Sequence, residues 1–329
     1  MNARFTLLFN FDLGIQAWLD VFDAKILVPG EETLSSQKKQ KIVVHVGLPK
    51  TGTTFLQDIL SHNRQNLNKL GISLLLREET NSFIERVQTK IFSREPIGKR
   101  TGLLDYEISR QNNLVISDER LAGEVGYWDN SAKNIYGDIH IWAKEICNEF
   151  PEADICFFIT LRSYADAFDS GYIQCVKMGI DVSVEQFKKR LQEIDFTWTR
   201  VIKDLKAAIA PSRLKVFEFG KSVNDSIIEE MEAHLGPLNL VSHPKPRPNK
   251  RYGDISIQIA QLANPILNRQ GQIMLRRILE NQVIQDPGAT FSLFSPEEAI
   301  ELNGKFEKDM RKIESFWGRR ISTRRVKNN

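Results

Sequence analysis

Apolar residues along the chain gather into five short runs, with helix-period stretches between them. Ile42 to Val46 is the first run, β-branched throughout apart from His45. Gly71 to Leu75 gives a short second strand, and Leu114 to Glu119 a third whose end carries two carboxylates, Asp118 and Glu119. Ile155 to Leu161 is continuously apolar, as a strand covered on both faces of a parallel sheet must be. Leu214 to Phe219 reads as the fifth. Helical spacing follows Gly52 as far as Leu60. It returns at 138–150 through Ile139, Trp142, Ile146 and Phe150, and it continues over 184–208, 255–282 and 296–317. Ser163 to Asp166 has capping-box spacing, so a helix should follow Arg162. Residues 77–112 are polar with scattered apolar positions and read as helices and loops. Strands alternating with helices predict an α/β, doubly wound fold, with a mainly parallel central sheet and helices on both faces.

This alternation spans 41–320, read as one domain. Residues 1–40 form a lead segment ending in a polar linker, and 321–329 a basic tail. The apolar stretch near the start is broken by Asn10 and Asp12 and has no small-residue cleavage site after it, so it reads as no signal peptide. No run approaches the ~18 apolar residues of a transmembrane helix. Between His243 and Arg251 proline alternates with basic residues, which holds the segment extended. Lysine and arginine number 45 against 42 acidic residues, and this near-balance does not point to nucleic acid. The three cysteines lack metal-ligand spacing and need no bridge, which suits a reducing compartment. Of the histidines, His45 reads as packed within the first strand and His140 as helical.

Doubly wound sheets bind ligands at the carboxyl ends of their strands. The turn after the first strand, Gly47-Leu48-Pro49-Lys50-Thr51-Gly52, lies there and leads directly into a helix. A helix start offers unpaired N–H groups and about half a unit of positive charge, a ready seat for an anion. Gly47 and Gly52 keep the frame of a nucleotide-binding P-loop, but Thr53 stands where that motif has lysine, and the lysine lies inside the loop at Lys50. Thr53, Thr54 and Thr51 add hydroxyls. Asp118, Glu119 and Arg162 fall at other predicted strand ends.

Pro49-Lys50-Thr51-Gly52-Thr53-Thr54 resembles the 5′-phosphosulfate loop of the sulfotransferases that use 3′-phosphoadenosine 5′-phosphosulfate (PAPS), and is closest to their glycan-type and bacterial members. Arg162 with Ser170 eight residues on resembles the pair that holds the 3′-phosphate in that family. Ser117-Asp118-Glu119 resembles the site of its glutamate base, with Glu119 in the matching place and Asp118 second choice. Asn249, Lys250 and Arg251 occupy the position of a late loop that closes over the nucleotide, in a looser match.

The resemblance implies transfer of a sulfuryl group from PAPS to a hydroxyl, with 3′,5′-ADP as product and no metal required. Lys50, Thr51, Gly52, Thr53, Thr54, Arg162, Ser170, Asn249, Lys250 and Arg251 would hold the donor, and Lys50 and Glu119 would carry the chemistry. The glycan-type base favours a carbohydrate or glycolipid acceptor. With no transmembrane segment, the expected location is the cytoplasm. Two rivals stand beside this reading. One is a nucleotide kinase or NTPase, since Leu114 to Asp118 resembles a Walker B strand. The other is a non-catalytic nucleotide- or glycan-binding module on the same fold.

Overall fold

A computed structural model describes residues 39–48, 51–93, 112–123, 135–194, 196–210, 213–220, 222–241, 252–281 and 291–317. Lys50, Asn249, Lys250 and Arg251 lie outside the described residues. The chain is α/β. Strands β1 (Lys41–Val46), β2 (Ile72–Leu76), β3 (Asn113–Ser117), β4 (Asp154–Leu161) and β5 (Leu214–Glu218) form one sheet in the order β2-β3-β1-β4-β5. Every pairing is parallel. Ile42 pairs with Leu114 on one side and Ile155 on the other, so β1 is the central strand.

Helices α1 (Thr53–His62) and α2 (Arg64–Lys69) follow β1, and α3 (Asn81–Ser93) follows β2. Helix α4 (Ile139–Glu149) leads into β4, and α5 (Tyr164–Lys177), α6 (Val184–Glu193) and α7 (Trp198–Ala208) lead into β5. Four more complete the described helices: α8 (Val223–Leu235), α9 (Asp254–Ala263), α10 (Arg269–Asn281) and α11 (Pro296–Trp317). None is long and apolar enough to cross a membrane.

Strand order dictates which helix covers which face. From β1 the chain moves to β2 at one edge, and every later step between strands runs the opposite way. Parallel crossovers are almost always right-handed, so reversing direction puts the connection on the other face. The core follows this rule. Leu56 and Leu60 of α1 pack with Val43, Phe158 and Phe217 on one face. Trp142 of α4, Phe168 of α5 and Trp198 of α7 pack with Val44, Phe157 and others on the opposite face. Side chains alternate across a strand, so adjacent residues of β1 serve different cores.

Two long helical stretches expected from the sequence are broken. The 184–208 stretch is two helices, α6 and α7, because Thr197 caps the second by accepting from Arg200 N. The turn between them sends Ile194 into the core, and Phe196 packs edge-on against Trp198 at 4.7 Å. The 255–282 stretch divides at Asn264, where Pro265 denies the helix an N–H. The third strand also stops earlier than expected, at Ser117, and Asp118 caps a tight 3-10 turn over Glu119–Ala122.

Helix α11 is fastened through a buried carboxylate. Tyr164 donates its hydroxyl to Asp309 Oδ2 and accepts from Trp198 N at 2.9 Å. Thr199 gives Asp309 two more donors, Oγ1 at 2.5 Å and N at 3.2 Å. A buried carboxylate is tolerable when its oxygens are satisfied in this way.

His45 is buried in β1 with Nδ1 2.9 Å from Ser117 Oγ, and its Nε2 meets no partner among the described residues. Burial lowers its pKa to about 4, because protonation would leave a charged N–H without an acceptor. The folded pKa lies below the unfolded value near 6.5, so the unfolded chain binds more protons between those limits. Stability from this group is therefore complete above about pH 6.5 and falls as pH drops toward 4, by roughly 3 kcal/mol in all. Urea unfolding at stepped pH should show that loss in the wild type, and His45→Gln should flatten the profile across this window.

Candidate functional site

The strand order places a crevice at the carboxyl end of β1. The chain leaves β1 toward β2 and leaves the adjacent β4 toward β5, so the two loops part and open a space between them. Three groups of residues surround it: the loop after β1, the end of β4 with its neighbour β5, and the end of β3.

The loop after β1 owes its shape to two glycines. Gly47 faces Thr53 so closely that a Cβ there would lie 2.2 Å from Thr53 Oγ1. Gly52 precedes α1 with φ of 83°, in the left-handed region that glycine tolerates best. Between them Thr51 closes the turn, with N 3.2 Å and Oγ1 2.6 Å from Leu48 O. The Thr51 hydroxyl thus braces the loop from within. Gly52 offers the helix no side-chain cap, although its carbonyl accepts from Phe55 N and Leu56 N. Thr54 is exposed on the first turn of α1. Thr53 is buried, and its Oγ1 finds no hydrogen-bond partner among the described residues. A buried hydroxyl without a partner costs about 1–3 kcal/mol, which a ligand oxygen placed there would relieve.

The end of β4 adds a second unpartnered hydroxyl. Val46 and Ile159 form the last β1–β4 pair, so Thr160 stands level with Gly47. Thr160 is fully buried, and its Oγ1 also lacks a partner among the described residues. Beyond it Arg162 is mostly covered and stacks on the Phe219 ring, 4.7 Å from the centroid. Its guanidinium reaches Asp166 Oδ1 at 3.8 Å, and its carbonyl accepts from Trp198 Nε1 at 2.8 Å. The same Phe219 ring approaches Gly52, lying 3.5 Å from where a Cβ would stand. Asn224 of α8 is 3.8 Å from that point, and its Oδ1 is buried without a partner among the described residues. One aromatic ring therefore lies close to Gly52 and also carries Arg162. Ser170 lies half-buried further along α5, with no hydrogen bond among the described residues.

The end of β3 is tied to α1 by Gln57, whose Nε2 donates to Ser117 O at 2.9 Å. The two carboxylates that follow differ in role. Asp118 is fully buried and saturated. It takes two hydrogen bonds from Arg120 Nε at 3.1 Å, one from Arg120 NH2 at 2.6 Å, one from Arg120 N at 2.8 Å and one from Thr80 Oγ1. Glu119 has one partner, Arg77 NH1 at 2.7 Å, and that arginine is 60% exposed. Only Glu119 retains carboxylate oxygen for an incoming hydroxyl.

Thr51, Gly52, Thr53 and Thr54 lie at the carboxyl end of β1, Arg162 at that of β4 and Glu119 at that of β3, all on the same edge of the sheet. Phe219, Thr160 and Asn224 were not singled out by the sequence reading. They sit at or just beyond the carboxyl ends of β4 and β5, so the rule that drew attention to Arg162 applies to them equally.

Removing the space at Gly47 should disturb this crevice directly. Gly47→Ala forces Thr53 aside and should cost about 1–3 kcal/mol, as overpacking does in a filled interior. Thr53→Ala in the same background removes the two closest contacts but leaves the Thr53 Cβ position 2.9 Å away, so it should restore only part of that loss in denaturant unfolding.

No family model matches this chain, and no curated protein matches it significantly.

Proposed function

We propose that the chain is a sulfotransferase that moves a sulfuryl group from PAPS to a hydroxyl, with a carbohydrate or glycolipid as acceptor. The observation that carries this reading is the Phe219 ring shared by Gly52 and Arg162. It sets an anion-binding helix start and a guanidinium on one crevice, which suits a donor with phosphates at both ends of a nucleoside. The fit is supported by two buried hydroxyls without partners, Thr53 and Thr160, and by the glycine cradle at Gly47.

The amides of the first turn of α1, with Thr53 and Thr54, bind the 5′-phosphate. Arg162 holds the 3′-phosphate through a planar fork suited to it, with Ser170 beside it. Lys50 neutralises charge that develops as 3′,5′-ADP departs, and Asn249, Lys250 and Arg251 cover the nucleotide. These four lie outside the described residues and are assigned from the resemblance alone. The donor supplies sulfur already activated on a good leaving group. Glu119 takes the proton of the acceptor hydroxyl while the new O–S bond forms and the bond from sulfur to the 5′-phosphate oxygen breaks. Donors fixed in advance around the developing charge account for most of the acceleration such a site can offer.

Asp118 bears on the rival NTPase reading. A Walker B aspartate must be available to a magnesium shell, whereas every approach to Asp118 is taken by Arg120 and Thr80. The Walker lysine position holds Thr53 instead.

Nucleotide choice separates the readings. 3′,5′-ADP should raise the melting temperature and ATP with magnesium should not, since a ligand that binds only the folded state stabilises it by mass action. The reverse order would favour the NTPase. Radiolabelled PAPS with a panel of glycans then distinguishes an enzyme from a binding module. Lys50→Ala should abolish most transfer with an unchanged melting temperature. Glu119→Gln should lower turnover by about 100-fold or more with 3′,5′-ADP affinity retained, and wild-type turnover would remove Glu119 from the role of base.

A further inference from the structure

Away from the crevice, α7 and α11 lie side by side and bring five cations together. Lys203 and Lys206 come from α7, and Lys308, Arg311 and Lys312 from α11. The three on α11 are spaced for one face, and with Ser315 and Phe316 they line a shallow depression of about 600 Å³. Phe316 remains 46% exposed in their midst. Lys206 Nζ lies 3.6 Å from its ring centroid and Lys203 Nζ 6.0 Å.

Two ordinary explanations cover only part of this arrangement. Cations suit the carboxyl-terminal turn of a helix through its dipole, which accounts for Lys206 on α7 but for none of the three cations on α11, whose last turn holds no basic residue. Surface charges elsewhere on α11 are neutralised within the helix, as Lys305 is by Glu301 at 2.9 Å. Within the cluster, Arg311 meets Glu307 at a loose 3.8 Å. Of the other acids next to these cations in sequence, Asp309 is buried and engaged by Tyr164 and Thr199, and Asp204 on α7 and Glu314 on α11 are half-buried. Gathering like charges destabilises a fold, and the chain carries a net charge of only +3, so this concentration is local. In sequence, Arg319, Arg320, Arg324, Arg325 and Lys327 follow, outside the described residues.

We propose that this face docks on an anionic bilayer surface. A cluster of four to eight basic residues on an amphipathic helix is the pattern that binds acidic lipid headgroups. An apolar ring at the centre of the cations fits the boundary between headgroups and acyl chains, with the lysine stems lying along it. A single-stranded nucleic acid would ask for several rings in series to stack successive bases, and the cluster has one. The docking is peripheral and reversible, and it makes no use of the crevice residues.

Sedimentation of the full chain with vesicles tests this. Phosphatidylcholine vesicles containing phosphatidylserine should pull the protein down, phosphatidylcholine alone should not, and added salt should release it. Each lost cation is worth roughly a five-fold change in partitioning, so Lys308→Gln with Lys312→Gln should weaken binding about 25-fold. Phe316→Ser should weaken it further without changing the response to salt. These sites are exposed, so a wild-type melting temperature is expected and confirms folding. The proposal fails if phosphatidylserine makes no difference or if the variants sediment like wild type. It fails in favour of a nucleic-acid surface if a mixed-sequence oligonucleotide competes the protein off the vesicles at equal salt.

Discussion

The contact between Gly47 and Thr53 decides where the first helix begins. There is no room for a side chain at Gly47, so Thr53 can settle over the end of β1 and α1 can start one tight turn beyond the sheet. Had α1 started later, its amides would point past the crevice. The remaining features of the loop serve the same placement. Thr51 cinches the turn onto Leu48, and Gly52 takes the left-handed conformation that redirects the backbone into the helix.

Around that fixed point the charged groups divide into satisfied and available ones. Asp118 is a structural carboxylate that holds the turn after β3 to the end of β2 through Arg120 and Thr80. Glu119, one residue later, is held by the exposed Arg77. Adjacent carboxylates of the same strand end thus differ because the 3-10 turn splits them between the interior and the rim. Arg162 is packed on Phe219 and reaches Asp166 at 3.8 Å.

The sheet was legible because each strand is an apolar run covered on both faces. The loop was legible because two glycines at fixed spacing between a strand and a helix have few other uses. Helix ends were harder. The break at Pro265 could be read from proline alone, while that at Thr197 depends on Phe196 and Trp198 seeking the aromatic cluster, a tertiary demand that periodicity does not carry. Phe219, Thr160 and Asn224 escaped notice for a related reason. Each is an ordinary residue for its element, and only the order of the strands brings the three to the same edge. The separate fates of Asp118 and Glu119 were equally hidden, since neighbouring acids look alike until Arg77 and Arg120 are placed.

The pairing of β1 carries a consequence for biogenesis. Its neighbours are residues 113–117 and 154–161, both synthesised well after it. Until those are synthesised, Ile42, Val43, Val44 and Val46 have no strand to join, and pairing so distant in sequence is slow to nucleate. The nascent chain thus carries an unpaired apolar strand until residue 161 has been made, an interval in which such a segment is prone to aggregate.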